Sequence, residues 1–462
     1  MPVRPNSPAQ RDIDSLVHPY TNLARHAETG PLIIERGKGI YVYDDDGREY
    51  IEGMSGLWCT SLGFGEEKLV EAAAEQMRKL PFSQLFTHRS TEPAIALAER
   101  LKAMAPVPIS KVLFSSSGSE ANDSVIKLVW YYNNALGRPE KKKIIARDKA
   151  YHGVSVAATS LTCLPVCHND FDMPLDRFLH AGCPHHYRFA AAGESEEAFA
   201  DRLASELEEQ ILREGPDTVA AFFAEPVMGA GGVLVPPRTY FPKIQAVLDR
   251  YDILLISDEV ICGFGRTANM FGCETVDMTP DIMTVAKALS SAYLPISAAL
   301  IPEEVHQAML DESRKLGSFG HGNTYSGHPV CAAVALRTIE LMEERDILGH
   351  VRAVSPRFQR RLSRLADHPL VGEARGAGLV GGLELVADKA TKRSFDPSHQ
   401  TGMKCVDEAR GFGLIARAIG DTVALCPPLI ITEAEIDEMF DRLTKALDVT
   451  EGIVSREGMR AA

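Results

Sequence analysis

Residues 253–260, ILLISDEV, and residues 282–289, IMTVAKAL, decide the fold class of this chain of 462 residues. Each is an apolar run without polar alternation, as is typical of a strand covered on both faces of its sheet. Runs of the same kind are KVLFSSS (111–117), KIIARD (143–148), VAAFFAEPV (219–227) and ISAALI (296–301). Amphipathic stretches that predict helices separate these runs. The alternation predicts an α/β fold with a mostly parallel sheet and right-handed crossovers.

The sequence also predicts a second, smaller unit. Beyond about residue 330, helices are expected over 329–345, around 351–366, near 400–411 and near 433–447, with the strand-like GLVGGLELV among them. We predict an N-terminal arm with part of the small domain over 1–60, a large domain over 61–330 and a small α+β domain over 331–462. Residues 450–462 are expected to fray, as chain ends do when nothing holds them.

Composition and charge exclude several classes of protein. Hydrophobic residues make up 45% and charged residues 24% of the chain, which is typical of a globular protein rather than a disordered or fibrous one. The 49 basic and 63 acidic residues give a formal net charge of −14, which argues against nucleic-acid binding. The longest basic run, Lys141–Lys143, is expected on a solvated turn.

Neither secretion nor membrane insertion is indicated. No uncharged apolar run is long enough for a transmembrane helix, and residues 1–20 lack the apolar segment of a secretory leader. The nine cysteines are scattered, several of them in apolar stretches, as expected in a reducing compartment. We therefore expect a cytoplasmic protein without membrane contact.

Three predicted strand ends carry polar residues, and ligands of open α/β sheets collect at the carboxyl ends of strands. The first is SSGSE (116–120), where small residues let backbone N–H groups approach an anion at a helix N-terminus. The second is Asp258, a carboxylate that needs a partner when it is buried. The third is Lys287, because a lysine amine becomes a nucleophile for Schiff-base chemistry once burial disfavours its charge.

Each of these signals has a plain structural alternative. Residues 116–120 could be only a capped helix start, Asp258 could pair with an arginine or cap a loop, and Lys287 could extend to the surface. Together, however, a phosphate cup, a buried acid and a buried lysine describe a site for pyridoxal 5′-phosphate. The phosphate would lie on the helix N-terminus, the acid on the pyridine nitrogen and the lysine on the aldehyde carbon.

Two other motifs point to different cofactors. Gly376, Gly378 and Gly381 match the G-x-G-x-x-G dinucleotide pattern, but a strand-like stretch follows them instead of a helix. Residues 163–186 are rich in cysteine and histidine, but their spacing fits no zinc-finger or zinc-ribbon pattern. We expect no metal in the site and interpret 163–186 as a loop near the mouth of the pocket.

Seven stretches carry a resemblance to a known family: FSSSGSEAND, AYHG, AEPVMGAGG, LISDEVICGFGRT, VAKALSSAYLPISA, NTYSGHPVCAAVA and VALCPPLIIT. They resemble the class III (omega) aminotransferases, which are fold-type-I pyridoxal phosphate enzymes, from about residue 18 to about residue 450. HPYTNLARH near residue 20 and GMSGLWC near residue 56 make the chain most similar to the amine:pyruvate transaminases. The resemblance implies a small domain built from both ends of the chain.

The resemblance implies roles for residues around the cofactor. Lys287 would form the internal aldimine and carry the proton, and Asp258 would keep the ring nitrogen protonated. The other residues implied to bind the cofactor are Gly118 and Ser119 on the phosphate, Tyr151 and Val260 on the two ring faces, and Thr324 on the phosphate of the neighbouring subunit.

The resemblance also implies a substrate pocket. Its lining would be Tyr20, Leu57, Trp58, Phe86, Tyr151 and Arg417. Arg417 would bind a substrate carboxylate in a bidentate pair. Relatives acting on ornithine or 4-aminobutyrate carry a glutamate where this chain has Ala230, so no built-in anion is expected to mask Arg417. Asn323 departs from the aromatic residue that related amine transaminases often have there, which leaves the shape of one pocket wall open.

The activity implied is transfer of an amino group from a primary (omega) amine to a 2-oxo acid, with pyruvate expected, in a ping-pong cycle through pyridoxamine phosphate. A lyase, aminomutase or racemase on the same fold is the alternative, and a non-catalytic binding protein is a third reading. The resemblance further implies a homodimer with shared active sites, or a tetramer of such dimers. The amine donor stays open.

Overall fold

A seven-stranded sheet organises the molecule, which is described here by a computed structural model covering residues 6–460. The strand order is β4-β10-β9-β8-β7-β5-β6, and only β10 runs antiparallel to its neighbours. These strands are β4 Lys111–Ser115, β5 Lys143–Arg147, β6 Phe178–Ala181, β7 Val219–Ala224, β8 Leu254–Asp258, β9 Ile282–Val285 and β10 Ser297–Ile301. The predicted α/β class with a mostly parallel sheet is confirmed.

Burial explains why the apolar runs become strands. Every residue of β7, β8, β9 and β10 is buried, as the absence of polar alternation predicts for strands covered on both faces. The sequence did not predict β6, a strand of four residues at the sheet edge, within the segment interpreted as a loop.

Two four-stranded sheets lie outside the large one. The first has the order β1-β2-β3-β13 and the second the order β11-β12-β15-β14. Their strands are β1 Ile34–Lys38, β2 Tyr41–Asp44, β3 Glu49–Glu52, β11 Val371–Ala377, β12 Val380–Leu385, β13 Leu414–Ile415, β14 Arg417–Ile419 and β15 Thr422–Leu425. Because β13 pairs with β3 in parallel, both ends of the chain contribute to one sheet. The division at residues 60 and 330 stays a prediction.

Helices cover the sheets and connect their strands. They are α1 Pro8–Ser15, α2 Leu23–Thr29, α3 Ser55–Trp58, α4 Glu67–Lys79, α5 Glu92–Met104, α6 Gly118–Ala135, α7 Val156–Leu161, α8 Pro165–His168, α9 His186–Phe189, α10 Glu196–Glu214, α11 Tyr240–Arg250, α12 Gly272–Thr275, α13 Glu303–Leu316, α14 Pro329–Glu344, α15 Ile347–Arg364, α16 Thr401–Gly411 and α17 Glu433–Arg456. Within residues 6–460, each helix is too short or too polar to span a lipid bilayer.

Two local expectations were wrong. Residues 450–456 do not fray, because α17 continues through them and buries Thr450 and Val454, and Met459 beyond the helix is also buried; residues 461 and 462 lie outside the described part. Lys141 does not lie on a solvated turn. It is 5% exposed, and its Nζ donates a hydrogen bond of 3.0 Å to the carbonyl of Tyr251.

Candidate active site

The predicted strand ends meet at one edge of the large sheet. Asp258 ends β8 and pairs with Thr284 of the adjacent β9, and Lys287 follows two residues after β9 ends. The carboxyl end of β4 reaches the same edge, since Ser115 pairs with Ser297 at the start of the antiparallel β10. The serine-rich turn, the acid and the lysine therefore lie at a common edge, where parallel sheets hold their ligands.

Asp258 is a buried carboxylate with a full set of donors. Its Oδ2 accepts hydrogen bonds from Asn122 Nδ2 and His152 Nδ1, both at 2.8 Å, and its Oδ1 accepts from the backbone N–H of Val260 at 3.0 Å. Asp258 is 4% exposed, so these donors replace the water that its charge loses. The three donors fix the carboxylate in one orientation.

Sequence reasoning missed Asn122 and His152, although both lie in stretches that it singled out. Asn122 is four residues after Gly118 and thus on the same face of α6, one turn further on. His152 directly follows Tyr151, and its other ring nitrogen, Nε2, is buried with no partner among residues 6–460. The helical spacing was a usable signal for Asn122, whereas nothing local indicated that His152 reaches Asp258.

Lys287 presents an amine without a partner. It begins a tight turn, Lys287–Ser290, with a φ of +51°, and its side chain is half-buried. Among residues 6–460, its Nζ makes neither a hydrogen bond nor an ion pair. A left-handed backbone is costly for a residue other than glycine and is often found at functional sites.

The start of α6 presents two backbone N–H groups that have no acceptor among the described residues, next to a glycine that leaves space for a ligand. The backbone N–H groups of Gly118 and Ser119 belong to the first helical turn, where no acceptor of the helix can reach them, and neither has another acceptor within residues 6–460. Ser117 caps the helix, since its Oγ accepts from Glu120 N–H at 3.2 Å. A Cβ on Gly118 would lie 3.0 Å from Val260 Cγ1, so the glycine keeps the space between them clear.

A hydrogen bond of its backbone N–H group holds Tyr151 in place. Its N–H donates to Glu225 Oε1 at 3.1 Å, and Glu225 Oε2 accepts from Gly229 N–H at 2.9 Å. Glu225 is 3% exposed, and burial raises the pKa of its carboxyl group. Burial also raises the pKa of the Tyr151 phenol, which is therefore neutral at physiological pH. Glu225 is a third residue that sequence reasoning did not single out.

Of the predicted substrate residues, Tyr20 contacts Tyr151, and Arg417 lies close enough to both tyrosines to interact with them electrostatically. The Tyr20 hydroxyl lies 3.4 Å from the Tyr151 hydroxyl and 3.4 Å from Cys167 Sγ, so it reaches the pocket mouth. Arg417 in β14 is half-buried, and burial lowers the pKa of its guanidinium while Tyr151 and Tyr20 oppose that shift. No carboxylate within residues 6–460 pairs with Arg417.

The remaining predicted pocket residues differ in exposure. Trp58 is 2% exposed and packs with buried residues that include Met54, Val227 and Ile261, so it forms a buried wall. In contrast, Leu57, Phe86 and Thr324 are exposed in this single chain. Phe86 borders Gly322, where an added Cβ would lie 3.0 Å from its ring, and this contact places Phe86 beside the segment of Thr324.

The two other motifs have structural explanations. Gly376 and Gly381 face each other in the antiparallel β11–β12 hairpin, and Gly378 takes a φ of +58° at its turn. In the segment 163–186, separate partners hold the histidines. The ring nitrogens of His168, His180 and His186 contact backbone carbonyls, and His185 contacts Glu373.

Comparison with known proteins places the chain in a family. The family model for aminotransferase class-III matches residues 23–447. The omega transaminase from Pseudomonas jessenii in complex with PMP superposes with a TM-score of 0.96 at 55% identity, covering 97% of this chain and 99% of that one. The thermostable omega transaminase PjTA-R6 variant W58M/F86L/R417L, engineered for asymmetric synthesis of enantiopure bulky amines, has a TM-score of 0.95 at 55% identity and covers 97% of this chain and 100% of that one.

A curated plant relative extends the comparison. The mitochondrial gamma-aminobutyrate transaminase 1 of Oryza sativa subsp. japonica is 49% identical over 437 residues, which are 94% of this chain and 85% of the relative. Enzymes of the class depend on pyridoxal 5′-phosphate, and the P. jessenii structure holds its amino form.

The residues at the sheet edge fit pyridoxal 5′-phosphate. The free N–H groups at the start of α6 suit a phosphate, the Asp258 carboxylate suits a protonated pyridine nitrogen, and the unpartnered Lys287 amine suits the aldehyde. The absent side chain at Gly118 leaves room beside Val260. The fold is that of the fold-type-I pyridoxal phosphate transferases, and the chain belongs to the class III aminotransferases.

Proposed function

We propose that this class III aminotransferase is an amine:pyruvate transaminase, which moves the amino group of a primary amine to pyruvate and forms alanine. The observation that carries the proposal is the Arg417 guanidinium. It is half-buried, it lies near Tyr151 and Tyr20, and it has no carboxylate partner within residues 6–460. An unmasked guanidinium in a pocket suits a substrate carboxylate.

Pyridoxal 5′-phosphate, when bound, supplies the aldehyde carbon that accepts the amino group and the ring that withdraws electrons. The chain supplies the positioning. Lys287 would hold the aldehyde carbon through its amine and carry the proton, and Asp258 would keep the ring nitrogen protonated. Gly118 and Ser119 would bind the phosphate, while Tyr151 and Val260 would fix the plane of the ring.

Pyruvate is favoured over 2-oxoglutarate because the proposed pocket residues include a single positively charged side chain, Arg417. Tyr20, Leu57, Trp58, Phe86 and Tyr151 bring no positive charge to the pocket. Pyruvate has one carboxylate, which Arg417 can neutralise, whereas 2-oxoglutarate has a second one that would stay unpaired. Ala230, which is 9% exposed, offers no anion that could mask Arg417 while an amine without a carboxylate is bound.

The engineered relatives support the assignment of the pocket. Two variants of the thermostable omega transaminase PjTA-R6, engineered for bulky amines, carry W58G or W58M/F86L/R417L, and this chain has Trp, Phe and Arg at the same numbers. The plant relatives are named gamma-aminobutyrate transaminases, and this favours 4-aminobutyrate as a second candidate donor. They are also named mitochondrial or chloroplastic, so the cytoplasmic location stays a prediction from the sequence.

The proposal includes a homodimer that completes the site. Phe82 and Tyr325 are 40% and 61% exposed, and their rings are 5.9 Å apart. Phe86, 45% exposed, lies in the same segment as Phe82, and Thr324 adjoins Tyr325. A contiguous exposed aromatic patch is typical of a protein interface. The resemblance to the family implies that Thr324 binds the phosphate of the neighbouring subunit in such a dimer.

A panel of substrates tests the function. Purified enzyme would be supplied with pyruvate or 2-oxoglutarate, and with 4-aminobutyrate, β-alanine, a diamine or 1-phenylethylamine as donor. We expect alanine formation with at least one donor and a higher kcat/KM for pyruvate. Faster glutamate formation would contradict the proposed acceptor. Release of a β-substituent or loss of optical activity without amino transfer would instead favour a lyase or racemase.

A further inference from the structure

A second cluster of chemically active side chains lies in the N-terminal segment, away from the residues at the edge of the large sheet. Asp12 of α1, His18 of the connection and His26 of α2 point their polar atoms at one another. Asp12 Oδ1 is 2.9 Å from His18 Nε2 and 3.0 Å from His26 Nε2, and Asp12 Oδ2 is 3.0 Å from His18 Nε2. The two imidazole rings have centroids 4.1 Å apart.

We propose that Asp12, His18 and His26 form a binding site for a divalent cation of the zinc class, which fastens the segment 8–29. Two imidazoles and one carboxylate are a donor set that Zn²⁺ accepts, with water completing the coordination. Ligand atoms around a tetrahedral Zn²⁺ lie about 3.3 Å apart, which is close to the nitrogen–oxygen distances of the cluster. Imidazole donors disfavour Mg²⁺ and Ca²⁺, which prefer oxygen ligands.

The protonation of the cluster is compatible with a cation. Within residues 6–460, neither His18 Nδ1 nor His26 Nδ1 makes a hydrogen bond, so each ring can carry its proton there when Nε2 binds the metal. A route for the ion exists, since the side chain of His18 is 29% exposed while those of His26 and Asp12 are 10% and 12% exposed.

The cation would have a mechanical role. Neither α1 nor α2 has a buried residue, so apolar packing does little to hold this segment. A bridge from Asp12 to His26 would join the two helices and fix the connection between them. Tyr20 belongs to that connection, and its hydroxyl lies 3.4 Å from that of Tyr151. The metal would thus stabilise one wall of the pocket, although its binding does not depend on the proposed substrates.

Equilibrium dialysis of the pyridoxal phosphate-loaded enzyme against Zn²⁺ tests the site. Loss of a ligand should weaken binding at least as much as loss of a supporting hydrogen bond, which costs about ten-fold or more. We expect Asp12→Asn and His26→Asn to bind Zn²⁺ at least about ten-fold more weakly than the parent. Asp14→Asn, on the same helix, and His306→Asn, which removes an ion-paired histidine elsewhere, should bind as the parent does.

Two results would overturn the proposal. Equal Zn²⁺ binding by the parent, Asp12→Asn and His26→Asn would assign the metal to other groups, such as the half-buried thiols of Cys59 and Cys163. The second readout is tryptic cleavage after Arg25, whose side chain is 50% exposed beside His26. We expect Zn²⁺ to slow this cleavage in the parent and in Asp14→Asn but not in Asp12→Asn. Cleavage unaffected by bound Zn²⁺ would refute the fastening role.

Discussion

Replacing Arg417 by alanine should separate the two halves of the reaction. The guanidinium is half-buried, burial lowers its pKa, and no carboxylate within residues 6–460 pairs with it. A bound pyruvate carboxylate would therefore be its sole anionic partner. Removal of one member of a desolvated charge pair costs about 2–5 kcal/mol. Because Arg417 keeps some solvent contact, the lower end of that range applies.

A cost of about 2 kcal/mol corresponds to a loss of about thirty-fold. We expect Arg417→Ala to lower kcat/KM for pyruvate by about thirty-fold or more, while a carboxylate-free amine reacts at nearly the parent rate. Steady-state kinetics with pyruvate and single-turnover kinetics with the amine measure the two effects. Arg417→Lys should recover part of the loss because it keeps the charge but not the bidentate geometry.

Arg314→Ala serves as the matched control, because it removes an exposed arginine that pairs with Asp311. It should leave both half-reactions unchanged. Equal loss of both half-reactions in Arg417→Ala, or unchanged use of pyruvate, would refute the role given to Arg417. The first result would indicate a disturbed cofactor site, and the second would require another cation for the carboxylate.

Three further predictions concern the pocket, the interface and pH. Trp58→Leu should raise the relative rate with bulky amines while keeping the cofactor absorbance. It should lower the free energy of unfolding by about 3 kcal/mol because a buried ring is lost. An unchanged amine profile would show that Trp58 does not line the pocket. The double variant Phe82→Glu/Tyr325→Glu should be a monomer that has lost its cofactor, as measured by light-scattering chromatography and cofactor absorbance. The control Leu212→Glu on α10 should keep both the dimer and the cofactor. A fully active monomer would contradict the shared site. Burial raises the pKa of Glu52 to about 7, so the folded chain keeps a proton that the unfolded chain releases near pH 4.5, and stability falls as pH rises between these values. Glu52→Gln does not have this pH dependence. The free energy of unfolding in urea of Glu52→Gln minus that of the parent should therefore rise by about 3 kcal/mol between pH 4.5 and pH 7. A difference that stays constant with pH would show that Glu52 is ionised in the folded chain.

The strands of the large sheet were predictable because burial on both faces leaves a direct mark in the sequence. Continuous apolar runs indicated β7, β8, β9 and β10, and the polar residues that end them indicated where ligands bind. The short edge strand β6 left no such mark, because only Phe178 among its four residues is buried. An edge strand such as β6 is held by backbone hydrogen bonds to the strand beside it, here β5. That pairing cannot be read from the residues of β6 alone.

Long-range polar contacts were the least predictable feature of the site. His152 and Asn122 reach Asp258 from segments more than a hundred residues away, and both use polar atoms that occur equally on surfaces. Asp12, His18 and His26 meet only because the chain turns between α1 and α2. The burial of Lys141 also depends on a distant acceptor, the carbonyl of Tyr251. Spacing along the chain does not encode such long-range contacts, although the helical spacing places Asn122 on the same face of α6 as Gly118.

The identity of the lysine that holds the cofactor tests the central claim most directly. Borohydride reduction of the loaded enzyme attaches the cofactor permanently to the lysine that it is joined to, and peptide mass mapping then locates the label. We predict a label on Lys287, and a folded Lys287→Ala variant with no label and no turnover. A label on another lysine, or transamination by Lys287→Ala near the parent rate, would contradict the account.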